Sequence, residues 1–399
     1  MTADRRLRVL SLSTLFPAPP RPGFGKFVEY QMRAVVERGD TDLVIVNPIG
    51  LPLWPLVQRE PYRTLAACPE TSPLGATIVH HPRFRTLPPL GAERNPARIA
   101  KAVMPLVRRL HAERRIDLVD AQFFFPDGPA AMRIAAKLGV PFTIKARGSD
   151  IHFWSTRPQA LAQMREAADV AGGMLAVSEA LRRDMIALGF RGQQIAVHYT
   201  GLDHARFRPA PRDAMRRAMA ERFGLPSAGP LLLTPGALIA IKGQALAIEA
   251  LANLPDAHLA LAGIGSDEAA LRALADRLGL AGRVHFLGQV SHEVLPGLMA
   301  AADVVVLPSE REGLANVWIE ALACGTPLVI PDIGGAREVV QADTSGRIAA
   351  RDPAAIAAAS RELLDDRPDQ TAVAAGAARF SWAANAAELV AFWTRVAGR

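Results

Sequence analysis

In the stretch EREGLANVWIEALACGTPLVIP (310–331), Glu312 and Glu320 stand eight residues apart with an almost wholly apolar run between them. A surface helix scatters its charges over one polar face. Here one carboxylate precedes an expected helix and the other lies about two turns into it, a placement that suits a ligand touching both. The run ADVVVLP (302–308) reads as a strand ending at Pro308, SEREG as a tight turn, and LANVWIEALACG as a helix opened by Gly313 and closed by Gly325. The N–H groups of Leu314, Ala315 and Asn316 would then lack helical acceptors and would suit phosphate or other anionic oxygen. Glu320 could accept from a vicinal diol such as a ribose, each charge-assisted bond contributing about 1.5–3 kcal/mol. The plainer alternative makes Glu312 a partner of the helix dipole and Glu320 a solvated face residue, but WIEALACG leaves little polar face.

Other segments carry further candidates. In TPGALIAIKGQALAIEA (234–250) a strand ends at Gly236 and Lys242-Gly243 opens a helix. A lysine at a strand's carboxyl end suits a diphosphate, although alone it is more often a solvated charge. The segment is not a Walker loop, since G-x-x-x-x-G-K-[ST] is absent. In STLFPAPPRPGFGKFVEY (13–30), Gly23 and Gly25 either let backbone approach a ligand closely or belong to an ordinary loop. Asp150, in KARGSDIHFW, either orients a substrate or caps the segment that follows. Asp40-Thr41-Asp42 has D-x-D metal spacing but reads as a turn into a strand, and His80, His81, His152 and His198 read as structural; no metal is expected.

These residues must be positioned by elements that alternate along nearly the whole chain. Strands are expected at 5–13, 42–48, 76–81, 116–122, 140–146, 172–178 and 194–201, with helices at 27–39, 96–115, 128–139 and 178–189. LDHARFRPAPRD (202–213), rich in proline and arginine, reads as a linker. The alternation then restarts, with strands at 229–236, 257–263, 283–288, 302–308 and 326–331, helices at 242–254 and 267–279, and a helical stretch from 353 to 399. Such alternation implies parallel βαβ units. The expected architecture is two doubly wound halves whose carboxyl rims face across a cleft, where such sheets bind ligands. The proline-rich loop 48–75 lies in the first half and reads as either an acceptor-contact segment or a disordered one.

The bulk numbers agree. A chain of 399 residues, half of them apolar, is long enough for two domains. No uncharged apolar window of about 18 residues suggests a transmembrane helix. The start, MTADRRLRVLSLSTLFPAPP, reads as a first strand rather than a signal peptide. Two cysteines far apart, Cys68 and Cys324, suggest neither a disulfide framework nor a zinc site and fit a reducing cytoplasm. Residues 1–205 hold 27 Lys and Arg against 18 Asp and Glu, and residues 206–399 hold 19 against 21, so the basic excess belongs to the first half. With three tyrosines and no basic run interleaved with aromatics, nucleic-acid binding is not expected.

The segment SEREGLANVWIEALACGTPLVIPDIGGAREVV (309–340) resembles the signature of glycosyltransferase family 4, E-x7-E followed by A-x-A-C-G-T-P. TPGALIAIKG, RVHFLGQV, TGLDHARFRP, SEALRRDMIALG and KARGSDIHFW match that family in character and order. The resemblance spans nearly the whole chain and is strongest from 229 to 340. It implies the GT-B fold, with two Rossmann-like domains facing across a cleft. Residues 1–205 would bind the acceptor, joined by a C-terminal helix (383–399) that crosses back, and residues 206–382 would bind the nucleotide-sugar donor. Glu320 would hold the ribose and Glu312 the donor sugar. Lys242 and the backbone of Gly313, Leu314, Ala315 and Asn316 would hold the diphosphate, with Gly236, Gly23 and Gly25 also lining the donor. Glu312, Lys242 and Asp150 would carry the reaction, and Arg147 and Asp150 would meet the acceptor.

The implied activity is metal-independent transfer of a hexose, with retention, from a UDP- or GDP-type sugar to a hydroxyl acceptor, without a cofactor. The implied setting is glycan, exopolysaccharide or glycolipid biosynthesis, with a glycan or lipid-linked acceptor. The expected location is the cytoplasm, or its inner-membrane face by contact of the basic half with anionic lipid. Two departures stand out. Ala237 replaces a phosphate-binding arginine for which Arg21 or Arg147 would have to compensate, and Arg147 fills a slot where members often have histidine. Arginine cannot be a general base, so the acceptor proton would pass to the leaving phosphate. These departures also motivate a different reading, a nucleotide-sugar-binding assembly protein without turnover. Epimerases and phosphorylases share the architecture as well.

Overall fold

The β-branched runs form sixteen strands among the described residues of the computed structural model, which are 6–87 and 91–399. In chain order they are β1 Leu7–Leu12, β2 Thr41–Val46, β3 Ile49–Leu51, β4 Thr71–Leu74, β5 Thr77–His80, β6 Arg83–Arg85, β7 Leu118–Ala121 and β8 Phe142–Ala146. They continue with β9 Gly173–Ala176, β10 Ile195–Val197, β11 Leu231–Pro235, β12 His258–Ala262, β13 Val284–Gly288, β14 Val304–Val306, β15 Leu328–Ile330 and β16 Gly346–Ile348. Arg5, the first residue of the expected opening strand, lies outside the described residues.

The chain divides into two units. One ends at Gly201 and takes in Trp382–Arg399; the other is Leu202–Ser381. The first holds an eight-stranded sheet of order β10-β9-β8-β7-β1-β2-β5-β4, parallel except where β4 pairs antiparallel with β5. The second holds a six-stranded, wholly parallel sheet of order β13-β12-β11-β14-β15-β16. The central strands are buried on both faces, as expected where helices cover each side. With β11 and β14 adjacent at the point where strand order reverses, the second sheet has a topological switch point where open α/β sheets bind ligands.

The last helix, Trp382–Val396, packs in the first unit against the helix Lys26–Arg38. Trp393 is fully buried there, and Gln31 Nε2 donates to Asn385 Oδ1 at 2.6 Å.

Two expectations need correction. The stretch 48–75 is not an irregular loop: it contains β3, a helix Tyr62–Ala66 and the edge strand β4. Its prolines obscured short elements that take their order from neighbours, β3 pairing with β6 and β4 with β5. Nor is 202–213 a free linker. Leu202 and Phe207 are buried, and Arg212 and Asp213 begin the helix Arg212–Phe223. Asp42, from the D-x-D triplet, pairs with Arg114 at 2.7 Å and Arg8 at 3.1 Å.

Candidate active site

The site builds up at the carboxyl ends of β11, β14 and β15, three adjacent strands of the second unit. After β11 the chain passes Gly236 into a short turn Ala240–Lys242, then Gly243 opens the helix Gln244–Leu251. Gly243 has φ +72°, and a Cβ there would stand 2.3 Å from the Pro308 carbonyl oxygen, so only glycine allows the loops after β11 and β14 to touch. The same two loops are tied by Glu310 N–H donating to Ile241 O at 2.7 Å. The loop after β15 braces them from the other side. Gly335 N–H donates to Gly313 O at 2.8 Å, and a Cβ on Gly334 would fall 2.2 Å from Glu312 O.

This bracing brings together residues 70 apart in sequence: Lys242 Nζ donates to Glu312 Oε1 at 2.5 Å. Both side chains stay partly exposed, at 28% and 15%, so a ligand can reach the pair. The helix that follows is Asn316–Ala323, not a helix opened at Gly313. Gly313, Leu314 and Ala315 remain in the connecting loop, because the turn pinned by Gly334 and Gly335 holds the backbone out of helical conformation. Ala315 is the N-cap and supplies no side-chain acceptor. The N–H groups without helical acceptors therefore begin at Asn316 and Val317 rather than at Leu314.

Glu320 lies in the fifth position of that helix, between fully buried Ile319 and Ala321. Burial pushes its carboxyl up to about 7, against a small opposing pull from Arg206. Nothing among the described residues donates a hydrogen bond to it. A half-buried carboxylate without a donor is costly in an empty protein, and it is the group that a ligand's hydroxyls would satisfy. Arg351 also reaches this rim, through Nε donating to Pro308 O at 3.0 Å. Ala237, where a cation is absent, is exposed and accepts from Gln244 Nε2 at 2.8 Å.

The first unit treats its candidates differently. Asp150 is wholly buried and accepts from the backbone N–H groups of Phe124 (2.7 Å), Arg147 (2.9 Å), Gly148 (2.9 Å) and Ile151 (3.1 Å). That corrects its expected contact with an acceptor: its oxygens are taken up in holding the 147–151 turn against Phe124. Arg147 donates from Nε to Gln122 O at 2.8 Å and from Nη2 to Gln31 Oε1 at 2.9 Å and to Gln122 Oε1. Its guanidinium also lies 5.0 Å from the centre of the Phe27 ring. Burial lowers it to about 10, with Asp150, Asp120 and Asp127 opposing. Gly25 has φ +71°, and a Cβ there would meet Leu15 O at 2.6 Å, so its glycine requirement comes from this chain's own backbone. Gly23 has nothing within 4 Å of the corresponding point. Arg21, the other cation considered to compensate for Ala237, stacks 4.4 Å from the Phe24 ring.

Type and spacing mark Gly243 only as a helix start and do not single out Gly334, Gly335 or Arg351. The glycines had a local signal, each following a strand, but nothing in the sequence said what their backbones touch.

The family described as Glycosyl transferases group 1 matches residues 215–380, and Glycosyltransferase Family 4 matches residues 57–206. The chain is 33% identical over 325 residues to the GDP-mannose-dependent alpha-(1-6)-phosphatidylinositol monomannoside mannosyltransferase of Mycolicibacterium smegmatis, covering 77% of this chain and 80% of that one. It is 30% identical over 431 residues to a D-inositol 3-phosphate glycosyltransferase of Geodermatophilus obscurus, covering 98% and 90%. Among solved structures, Anabaena Alr3699/HepE in complex with UDP superposes with a TM-score of 0.72 at 22% identity, over 96% of this chain and 98% of that one. The matching profiles, the relatives at 30% identity or more and the paired parallel sheets establish that this chain belongs to glycosyltransferase family 4 and has the GT-B fold.

Proposed function

We propose that the chain moves a hexose, with retention and without a metal, from a UDP- or GDP-sugar to a hydroxyl of a glycan or lipid-linked acceptor. The observation that carries this reading is the Lys242–Glu312 pair at 2.5 Å in the same unit as a Glu320 carboxylate that lacks a donor. Lys242 and the N–H groups of Asn316 and Val317 take up the negative charge that develops on the departing diphosphate. Glu320 accepts from the ribose hydroxyls. Glu312 holds Lys242 in place and accepts from the donor sugar. Arg351 supplies a second cation in place of Ala237. The relative's dependence on GDP-mannose and the neighbour's bound UDP support a nucleoside-diphosphate donor without choosing between bases.

No protein base is assigned, because Arg147 stays cationic and Asp150 is enclosed. The acceptor oxygen forms its bond to the anomeric carbon on the face from which the diphosphate leaves. The sugar–phosphate bond breaks, and the acceptor proton passes to the departing phosphate oxygen.

Titration calorimetry with UDP, GDP and ADP, without added metal, tests the donor site. One nucleotide should bind in preference, and Glu320→Ala should lose that binding. Binding untouched by Glu320→Ala would overturn the assignment. Arg147 and Ala237 also favour a second reading, donor binding without turnover. Tight nucleotide-sugar binding with neither transfer nor donor hydrolysis would establish it.

No helix among the described residues is long and apolar enough to cross a membrane. The basic excess of residues 1–205 supports peripheral contact with anionic lipid at the cytoplasmic face of the inner membrane, at about 1 kcal/mol per well-placed basic residue. Liposome flotation indifferent to anionic lipid content would remove that part.

A further inference from the structure

The second sheet also has a charged cavity at its other end. About 330 Å³ in volume, it lies beside Pro230 and Asp303, which precede β11 and β14, and it is lined by Arg212, Asp213, Arg216 and Arg367. The candidate active site is at the carboxyl ends of these strands. β11 alone, five residues long, separates the two ends by about 16 Å.

The three arginines are not equally occupied. Arg216 is fully used: Nε donates to Ala301 O at 2.9 Å, Nη1 to Gly229 O at 2.7 Å and Nη2 to Asp303 Oδ2 at 2.7 Å. Asp303 Oδ2 accepts a second bond from Leu231 N–H at 2.8 Å, while Oδ1 faces Arg212 beyond hydrogen-bond distance. Arg212 stands 3.8 Å from Asp303 Oδ1 and makes one long bond, Nη2 to Gly325 O at 3.3 Å. Its Nε is buried without a partner. Arg367 makes one long bond, Nε to Leu364 O at 3.3 Å, and its terminal nitrogens have no partner among the described residues.

The backbone at Arg367 is equally telling. It closes the helix Pro353–Asp366 at φ +44°, and no other non-glycine among the described residues has positive φ. Glycine or asparagine would occupy such a position with less strain. An arginine kept there places a guanidinium at the cavity mouth. Burial also lowers Arg212, Arg216 and Arg367 add to that lowering by like charge, and Asp303 and Asp213 oppose it.

We propose that this cavity is a second ligand site, for a small phosphate-bearing anion held by Arg212 and Arg367, separate from the nucleotide-sugar site. Phosphate oxygens accept from guanidinium forks in the geometry these two donors leave open. Through Arg212 Nη2 and Gly325 O, the occupied site touches the end of the helix that carries Glu320.

Inorganic pyrophosphate is the probe, added to the full chain and followed by calorimetry and by melting temperature. Wild type and Lys242→Ala should both bind it and melt higher. Arg367→Asn should fold at least as well as wild type and, in the Lys242→Ala background, bind at least about tenfold more weakly, the loss expected for one charge-assisted contact. Arg212→Gln should show the same loss. Binding that disappears with Lys242→Ala but survives Arg367→Asn would assign the anion to the donor rim and overturn the proposal. So would pyrophosphate binding unchanged in every variant, or no binding to wild type at millimolar concentration.

Discussion

Both sheets end their strands in charged residues, yet the two carboxyl rims use them in opposite ways. In the first unit Asp120 accepts from Thr143 Oγ1 at 2.7 Å, Trp393 Nε1 at 3.0 Å and Gln122 Nε2. Lys145, also fully buried, lies 2.7 Å from His198 Nδ1, while His198 Nε2 meets Asn385 O at 2.9 Å. A carbonyl only accepts, so His198 Nε2 carries the hydrogen and Nδ1 accepts from Lys145. Burial lowers both Lys145 and His198. Asp150 takes its bonds from backbone. These charged groups are satisfied from within the unit, although Ser13 Oγ and Asn47 Oδ1 beside them are buried without partners among the described residues, and they fasten the last helix by polar bonds. In the second unit Lys242 and Glu312 face each other partly exposed, and Glu320 has no donor. Charged residues at strand ends are thus common to both rims, and open hydrogen-bonding capacity is what distinguishes the second, proposed to bind the donor, from the first.

The contrast would break most visibly at Asp150. Asp150→Ala orphans several buried N–H groups at about 1–3 kcal/mol each, so a stability loss above about 3 kcal/mol is expected in chemical denaturation. Asp150→Asn, which keeps one acceptor, should lose less. An Asp150→Ala protein with wild-type stability but no transfer would instead make this rim part of the chemistry.

At the second rim the expected loss is in rate. Lys242→Ala and Glu312→Gln should each lower transfer at least about 100-fold, as when a contact to developing charge is removed, with melting temperature little changed. Turnover at wild-type rate in either variant would remove the pair from the mechanism.

Glu320 sharpens the comparison through pH. Burial raises its carboxyl from the usual 4.5 to about 7, and the ionised form is the stronger acceptor. Nucleotide affinity should therefore rise as pH passes upward through about 7 and fall below it. Glu320→Gln should bind about tenfold more weakly at pH 8 and lose that part of the pH dependence. The difference between the two titrations isolates Glu320 from the phosphate's own ionisation. Identical pH profiles would place Glu320 away from the ligand.

The smallest effect is expected from Arg351→Ala, a severalfold loss of nucleotide affinity, since a partly exposed cation contributes about 1 kcal/mol or less. No change would leave Ala237 without a substitute.

Much of the fold was legible because hydrophobic periodicity reports burial directly. The runs at 42–48, 140–146 and 257–263 became β2, β8 and β12 with ends displaced by no more than two residues. What escaped were elements whose register comes from elsewhere, such as β3 and β4 among their prolines, and the helix Pro158–Val170, whose apolar face is mostly small alanines. The start of the helix bearing Glu320 was misplaced for a similar reason. Its first turn is set by Gly335 bonding to Gly313, a contact from a neighbouring strand's loop.

By itself the sequence determined two parallel α/β halves, a basic first half and the eight-residue spacing of Glu312 and Glu320, because periodicity, charge and local spacing are one-dimensional properties. Which charged groups remain open was a matter for tertiary structure alone. Asp150 and Glu320 are both carboxylates near strand ends in apolar surroundings. One meets the N–H of Phe124 from a distant loop as well as those of its own turn, and the other meets none among the described residues. The valence of a buried polar group is settled by the partners folding brings to it, and those partners are set by packing as well as by neighbours in sequence.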